Sequence, residues 1–140
     1  MNGVKQFCSF TIGDSVYGID ALRVQEIVQV RSTTPVPLAS NAVVGLMNLR
    51  GQIVTVLDVR KRLGVAPRPA ASTAIIVVQT ADGAIGLMVD EIGDVIDAAD
   101  DQMEPPPDTF RGEARALILG ACKLPSRLMM TLDLDKIVAL

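Results

Sequence analysis

The 140-residue sequence contains no histidine. Ser-His and Cys-His nucleophiles, histidine proton shuttles and histidine metal ligands are therefore excluded. The two cysteines, Cys8 and Cys122, lie within apolar segments without the CxxC spacing of a metal or redox site, and we interpret them as small hydrophobic residues. The glycines form no phosphate-binding loop followed by Lys and Ser or Thr. We expect no catalytic residue, no cofactor and no metal.

The sequence also has few aromatic residues, no tryptophan and little positive charge. Aromatic residues make up 3% of the chain, and the formal net charge is −3. Nucleic-acid binders use aromatic stacking platforms and a positive surface, so we expect no nucleic-acid partner. No uninterrupted apolar run reaches the roughly 20 residues that a bilayer span needs, and no apolar signal segment follows Met1. We therefore expect a cytoplasmic protein with no direct membrane insertion.

Hydrophobic residues make up 49% of the sequence, which is enough for the core of one domain. Short segments rich in Val, Ile and Leu alternate with turn residues, a pattern typical of strands. The fold class predicted is all-β, with short connecting helices. The predicted strands are 7–12, 16–19, 24–30, 52–57, 74–79, 84–89, 93–97, 117–124 and 128–132. Strand 52–57 is apolar on nearly both faces, so we expect it inside a sheet.

Three short helices are predicted between the strands. Ser40 is a candidate cap for a helix over 41–48, and Asp58 for a helix over 59–63 that Gly64 ends. Asp133 begins a last helix over 133–138. Another interpretation makes Asp58 and Asp133 a carboxylate dyad, but neither precedes the Thr/Ser-Gly of an aspartic protease turn. Helix capping is the favoured role for both.

A weak internal repeat relates the two halves of the chain. A shift of 68 positions places Gly18 on Gly86, and a shift of 75 positions places Leu57 on Leu132. About five strands in each half predict two small barrels, which remove exposed sheet edges by closure. We expect a single domain whose halves are approximately residues 1–68 and 69–140, with strand exchange between the halves left open. The groove between two such barrels is a common place for partners.

An Arg-Gly pair, Arg50-Gly51, stands between two apolar runs. A guanidinium beside a core needs a partner for its five donors. One interpretation pairs Arg50 with a local carboxylate such as Asp58, and the other makes Arg50 and Gly51 part of a contact surface. Several apolar positions, like these two, have two interpretations, as core residues or as binding anchors in an open groove: Val24, Ile27, Val28, Ile92 and Val95.

A series of motifs follows a fixed order along essentially the whole sequence. Its most specific element is Asn48-Leu49-Arg50-Gly51 at its distance from Gly86 and from the Tyr17-Gly18-Ile19-Asp20 hairpin. Further segments of the series are Gly13-Asp14, Val24-Gln25-Glu26-Ile27, Asp58-Val59-Arg60 and Val89-Asp90. In this order the motifs resemble those of the CheW family of bacterial chemotaxis coupling proteins.

The resemblance implies two SH3-like five-stranded barrels and a non-catalytic adaptor. Family members couple the cytoplasmic tips of methyl-accepting chemoreceptors to the histidine kinase CheA, whose regulatory domain has the same fold. Carried onto this sequence, the receptor- or kinase-binding groove comprises Val24, Glu26, Ile27, Val43, Gly45, Arg50, Gly51, Ile53 and Gly86. The alternatives are a small regulatory ligand-binding β-barrel and a fragment resembling the CheA regulatory domain.

Overall fold

The computed structural model describes residues 3–29, 33–37, 39–65, 74–108 and 112–139. Strands dominate these residues, and each helix has five residues or fewer. The strands are β1 Val4–Ile12, β2 Ser15–Asp20, β3 Val24–Gln29, β4 Val43–Leu49, β5 Gln52–Asp58, β6 Ala74–Thr80, β7 Gly83–Val89, β8 Glu91–Ala99, β9 Met103–Glu104, β10 Ile118–Lys123 and β11 Leu128–Leu132. The α-helices are α1 Val59–Leu63, α2 Gly112–Ala116 and α3 Leu134–Val138.

The strands form two mixed sheets, which confirms the all-β fold class. The first sheet has the order β8-β1-β2-β11-β10-β9, and the second has the order β3-β6-β7-β5-β4. β9, the sixth strand of the first sheet, has only two residues. The remaining strands give two five-stranded, SH3-like barrels of the predicted kind. β5 lies between β7 and β4, as its two apolar faces predict.

The internal repeat relates the two sheets strand by strand. The first sheet contains the hairpin β1–β2, and its second strand, β2, pairs in parallel with β11. The second sheet contains the hairpin β6–β7, and its second strand, β7, pairs in parallel with β5. β3 follows β2 along the chain but joins the second sheet, whereas β8 follows β7 and joins the first. The barrels therefore exchange strands, and each contains segments from both sides of residue 68.

Buried side chains form three clusters that explain why so many strands are apolar on both faces. A small cluster lies in the first sheet around Phe7 and Met129, and another lies in the second sheet around Val54 and Val77. The largest cluster takes residues from both sheets and from α1 and α3, among them Phe10. One face of a central strand thus points into its own barrel, and the other packs between the barrels.

Two of the three predicted helices are confirmed together with their caps. Asp58 Oδ1 accepts a hydrogen bond from Arg60 N at 3.0 Å, and Gly64, with φ 71°, ends α1 in the left-handed conformation. Asp133 Oδ1 accepts from Lys136 N at 3.3 Å at the start of α3.

The predicted helix over 41–48 is wrong, since this segment contains β4. Met47 and Leu49 are buried, whereas Leu46 is partly exposed and Asn48 exposed, which is the period of two of a strand. Ser40 Oγ accepts a hydrogen bond from Ala42 N at 3.3 Å, in a turn that leads into the strand. The local signal of a capping residue does not outweigh pairing with β5.

Candidate functional site: the closed end of the second barrel

Arg50 and Gly51 form the two-residue turn that joins β4 to β5. Arg50 has φ 52° and Gly51 has φ 85°, the two left-handed residues of a type I′ hairpin turn. Asn48 Oδ1 accepts a hydrogen bond from Gly51 N at 2.9 Å and fixes the turn. Among the described residues, Arg50 is the only one other than glycine that has a positive φ. A side chain in this disfavoured backbone region is held there by its surroundings.

The Arg50 guanidinium binds Glu26 on β3 through two parallel hydrogen bonds. Arg50 Nη1 donates to Glu26 Oε2 at 2.6 Å, and Arg50 Nη2 donates to Oε1 at 2.7 Å. Bidentate pairs of this kind fix geometry as well as charge. The interpretation that pairs Arg50 with Asp58 is wrong, because Arg50 binds Glu26 and Asp58 caps α1. The partner is Glu26, which is one of the predicted site residues but was not predicted to pair with Arg50.

The ion pair joins the two outer strands of the second sheet. Glu26 lies in β3 at one edge, and Arg50 directly follows β4 at the other edge. The hydrogen bonds and the charge of Glu26 raise the pKa of Arg50 above its ordinary value. The Arg50 side chain is 71% exposed and that of Glu26 is 20% exposed, so solvent and partners reach the pair. We call Glu26, Arg50 and Gly51 the closed end of the second barrel.

Two predicted apolar anchors are exposed on the strands that carry this end. Ile27 follows Glu26 in β3 and is 46% exposed, and Ile53 in β5 is 59% exposed. Their neighbours Val28 and Val54 are buried, as the alternation of a strand requires. Large exposed apolar side chains on the strands that carry a fixed charged pair have the composition of a protein-binding surface.

The four other predicted site residues have different positions. Val24 and Val43 are partly buried and pack against the core shared by the two barrels. Gly45 and Gly86 are buried within their strands. A Cβ at Gly45 would lie 2.5 Å from the Thr34 carbonyl oxygen. These two valines and two glycines therefore support the shape of the second sheet from within.

The equivalent end of the first barrel exposes related apolar residues that the sequence interpretation left undecided or missed. The repeat places Ile27 on Val95 and Ile53 on Leu128. Val95 is 58% exposed and Leu128 is 36% exposed. The repeat offsets of 68 and 75 positions, applied to Ile27 and Ile53, identify both residues from the sequence. Leu22, between β2 and β3, is 90% exposed and had no sequence signal beyond its apolar side chain.

The acidic and sulfur side chains of the described residues form no group of three or more that is suited to a metal ion. In the same part of the chain, no helix is long and apolar enough to cross a membrane. The geometry at the closed end offers recognition chemistry, which consists of a fixed guanidinium, a carboxylate and apolar anchors.

Known proteins resemble this chain over almost its whole length. The family model of the CheW-like domain matches residues 6–140. The chemotaxis protein CheW of Rhizobium meliloti is 31% identical over 137 residues, covering 97% of this chain and 88% of the relative. CheW of Thermotoga maritima is 30% identical over 141 residues, covering 98% and 91%.

A solved structure agrees with the sequence matches. The crystal structure of the scaffolding protein TtCheW from Thermoanaerobacter tengcongensis superposes with a TM-score of 0.87 at 28% identity, covering 99% of this chain and 90% of that chain. The fold, the family match and the relatives agree on a role in chemotaxis. The chain therefore belongs to the CheW family and is a non-catalytic scaffold of chemotaxis signal transduction.

Proposed function

We propose that this scaffold couples the cytoplasmic tips of methyl-accepting chemoreceptors to the histidine kinase CheA, through the kinase regulatory domain. It acts in the cytoplasm, recruited to membrane-associated receptor arrays. The observation that carries the proposal is the closed end, where Ile27 and Ile53 are exposed beside a bidentate ion pair in a member of a chemotaxis scaffold family.

The closed end suits a helical or β-rich protein partner. Apolar anchors at the centre of an interface contribute most of the affinity, and one oriented charged group fixes register and orientation. Arg50 keeps donors available beyond the two bonded to Glu26, because a guanidinium has five N–H groups. Of the nine candidate residues, we assign direct contact to Glu26, Ile27, Arg50, Gly51 and Ile53, and support to the other four.

An adaptor needs separate surfaces for its partners. The second barrel presents Ile27 and Ile53, and the first presents Val95 and Leu128 at equivalent positions. The kinase regulatory domain is expected to share the fold of this chain, so a barrel end of the scaffold and a barrel end of the kinase have matching shapes. The remaining surface is then available to the receptor.

Calorimetric titration with each partner separately tests the proposal. The titrants are a receptor fragment containing the cytoplasmic tip and the CheA regulatory domain. Arg50→Ala and Ile53→Asp should weaken binding of at least one partner by about tenfold or more, as expected for anchors of an interface. Lys136→Ala, which removes an exposed cation on α3, is the matched control and should bind like wild type.

The proposal fails if folded wild-type protein binds neither partner. It also fails in its choice of site if Arg50→Ala and Ile53→Asp bind both partners as tightly as the Lys136→Ala control. Far-ultraviolet circular dichroism of each variant shows that lost binding does not reflect lost structure.

A further inference from the structure

The two barrels carry the same bulge in front of the same type of side chain. In β3 the pairing with β6 shifts by one residue between Val24 and Glu26. In β8 the pairing with β1 shifts at the equivalent place, and Asp94 occupies the position of Glu26. Ser9 Oγ donates a hydrogen bond to the Asp94 carbonyl at 2.6 Å and fixes the bulge. Bulges redirect side chains, so both barrels direct a carboxylate toward the barrel end.

What faces the two carboxylates differs. In the second barrel, Arg50 of the β4–β5 turn binds Glu26. The residue equivalent to Arg50 in the first barrel is Pro125, which has no charge and no donor. An open cleft of about 480 Å³ occupies this end, and its lining includes Gly93, Asp94, Pro125 and Ser126.

Asp94 has no charged partner among the described residues, although two cations line the same cleft. Lys123 Nζ pairs with Glu104 Oε1 at 2.9 Å, and no ion pair joins Arg127 to Asp94. The second carboxylate of the cleft, Asp97, accepts a hydrogen bond from Gln6 Nε2 at 2.9 Å. Asp94 is exposed, so its carboxylate is within reach of an incoming donor.

Two exposed apolar residues adjoin the cleft lining in sequence, since Val95 follows Asp94 and Leu128 follows Arg127. Val95 and Leu128, exposed by 58% and 36%, occupy the positions of Ile27 and Ile53. Exposed apolar residues near a charged group are common in protein-binding surfaces. The first barrel thus has the carboxylate, the bulge and the exposed apolar residues of the second, and among the described residues it has no arginine paired with that carboxylate.

We propose that this cleft binds an arginine presented on a β-turn of a partner protein, which pairs with Asp94 as Arg50 pairs with Glu26. The partner's arginine would then form at the first barrel the ion pair that Arg50 forms within the second barrel. The guanidinium fork matches a carboxylate in two hydrogen bonds, which a lysine does not reproduce. As a site for the kinase or the receptor, the cleft rests on the proposed function, but its chemistry can be tested without either.

The probe is a capped peptide that copies residues 46–55 of this chain, the turn that carries Arg50 in the second barrel. A second peptide has glutamine in place of the arginine. Titration of the ¹⁵N-labelled full chain should shift the amides of Gly93, Asp94 and Ser126 with the arginine peptide. Asp94→Asn and the glutamine peptide should each weaken this binding by about fivefold or more.

Two further variants sharpen the test. Glu91→Gln removes an exposed carboxylate from the same strand but outside the cleft lining, and should leave peptide binding unchanged. Pro125→Arg supplies the arginine from within the chain and should abolish the Asp94-dependent shifts. Because Asp94 and Pro125 line an open cleft at the surface, we expect both variants to fold.

Equal binding of the arginine and glutamine peptides, or no shift at Gly93 and Asp94 at millimolar peptide, overturns the proposal. Titration with the kinase regulatory domain and the receptor fragment is then interpreted separately. If neither protein binds while the arginine peptide does, the proposed function fails and the cleft chemistry stands. If both proteins bind but Asp94→Asn changes neither titration, the cleft is not a site for those partners.

Discussion

The two barrels share strand order, a hairpin, a parallel pairing and a capped helix, yet they end differently. The second barrel is closed by Arg50 and Glu26, whose side chains join the two outer strands of its sheet. The first barrel has an open cleft at the equivalent place, with Asp94 on one wall and Pro125 on the turn. A repeated framework therefore carries two ends of different chemistry.

The difference shows which parts of the repeat are required for folding and which are adjustable. The parallel pairing and the cap recur, because both barrels need buried backbone groups to be satisfied. The turn residues do not recur: β4 and β5 are joined by two residues, whereas β10 and β11 are joined by four. Changing that turn alters the surface while leaving the core of each barrel in place.

The largest expected difference between the barrels concerns two equivalent glycines. A Cβ at Gly45 would lie 2.5 Å from Thr34 O, with φ at 155°, and a Cβ at Gly120 would lie 2.7 Å from Glu104 O without a positive φ. We expect Gly45→Ala to lower the free energy of unfolding by about 3 kcal/mol and Gly120→Ala by about 1.5 kcal/mol. Urea denaturation measures both.

The matched control separates backbone strain from contact. Gly83 has φ 112°, but a Cβ there would meet no atom within 4 Å. Gly83→Ala should therefore cost only about 1 kcal/mol. A loss at Gly120 as large as that at Gly45 would show that the backbone conformation at Gly45 contributes little.

The two helix caps should behave alike, since they are equivalent in the repeat. Asp58→Ala and Asp133→Ala each remove a side-chain acceptor at a helix start and should each lower the free energy of unfolding by about 1 kcal/mol. The corresponding Asn variants retain an acceptor and should stay close to wild type. A loss limited to one helix would contradict the equivalence of the caps.

Removing the ion pair of the closed end should change stability little. The Arg50 side chain is 71% exposed, and exposed pairs contribute little because water and salt screen them. We expect the urea midpoint of Arg50→Ala to lie close to that of wild type and the small difference to shrink in high salt. A large, salt-independent loss of stability would show that barrel closure, rather than recognition, is the main role of Arg50.

The smallest expected effect concerns the thiols, both of which lie in the first sheet. Burial raises the pKa of both thiols, and the charge of Asp20 raises the pKa of Cys8 further. The thiolate, which reacts with iodoacetamide, is therefore scarce at pH 8. Alkylation of the native protein should be slower than alkylation in urea, and Cys122, which is fully buried, should react more slowly than Cys8. Equal rates in both conditions would contradict this.

The sequence predicted the features that depend on neighbouring residues. The predicted strand segments and the caps at Asp58 and Asp133 follow from local pattern, and the structure has them. β4 was missed because Ser40 resembles a cap and the segment after it is nearly all apolar. The segment is a strand because it pairs with β5, and local sequence does not show that pairing.

Features that depend on distant pairing were less predictable. The partner of Arg50 is 24 positions away, farther than the nearby carboxylate that local reasoning favours. Sequence alone left the exchange of β3 and β8 between the barrels open, because it concerns which sheet each strand joins. The repeat nevertheless aligns Glu26 with Asp94 at an offset of 68 positions. This alignment is the basis for comparing the closed end of the second barrel with the open cleft of the first.

The most direct test of the adaptor role is whether the chain bridges the two proposed partners. Receptor tips in membrane vesicles would be sedimented with CheA, with and without this protein. We predict that kinase sediments with the receptor mainly when the wild-type chain is present, and that Arg50→Ala reduces the amount while Lys136→Ala does not. Kinase recovery that is independent of the chain, or unchanged by its addition, would contradict the account.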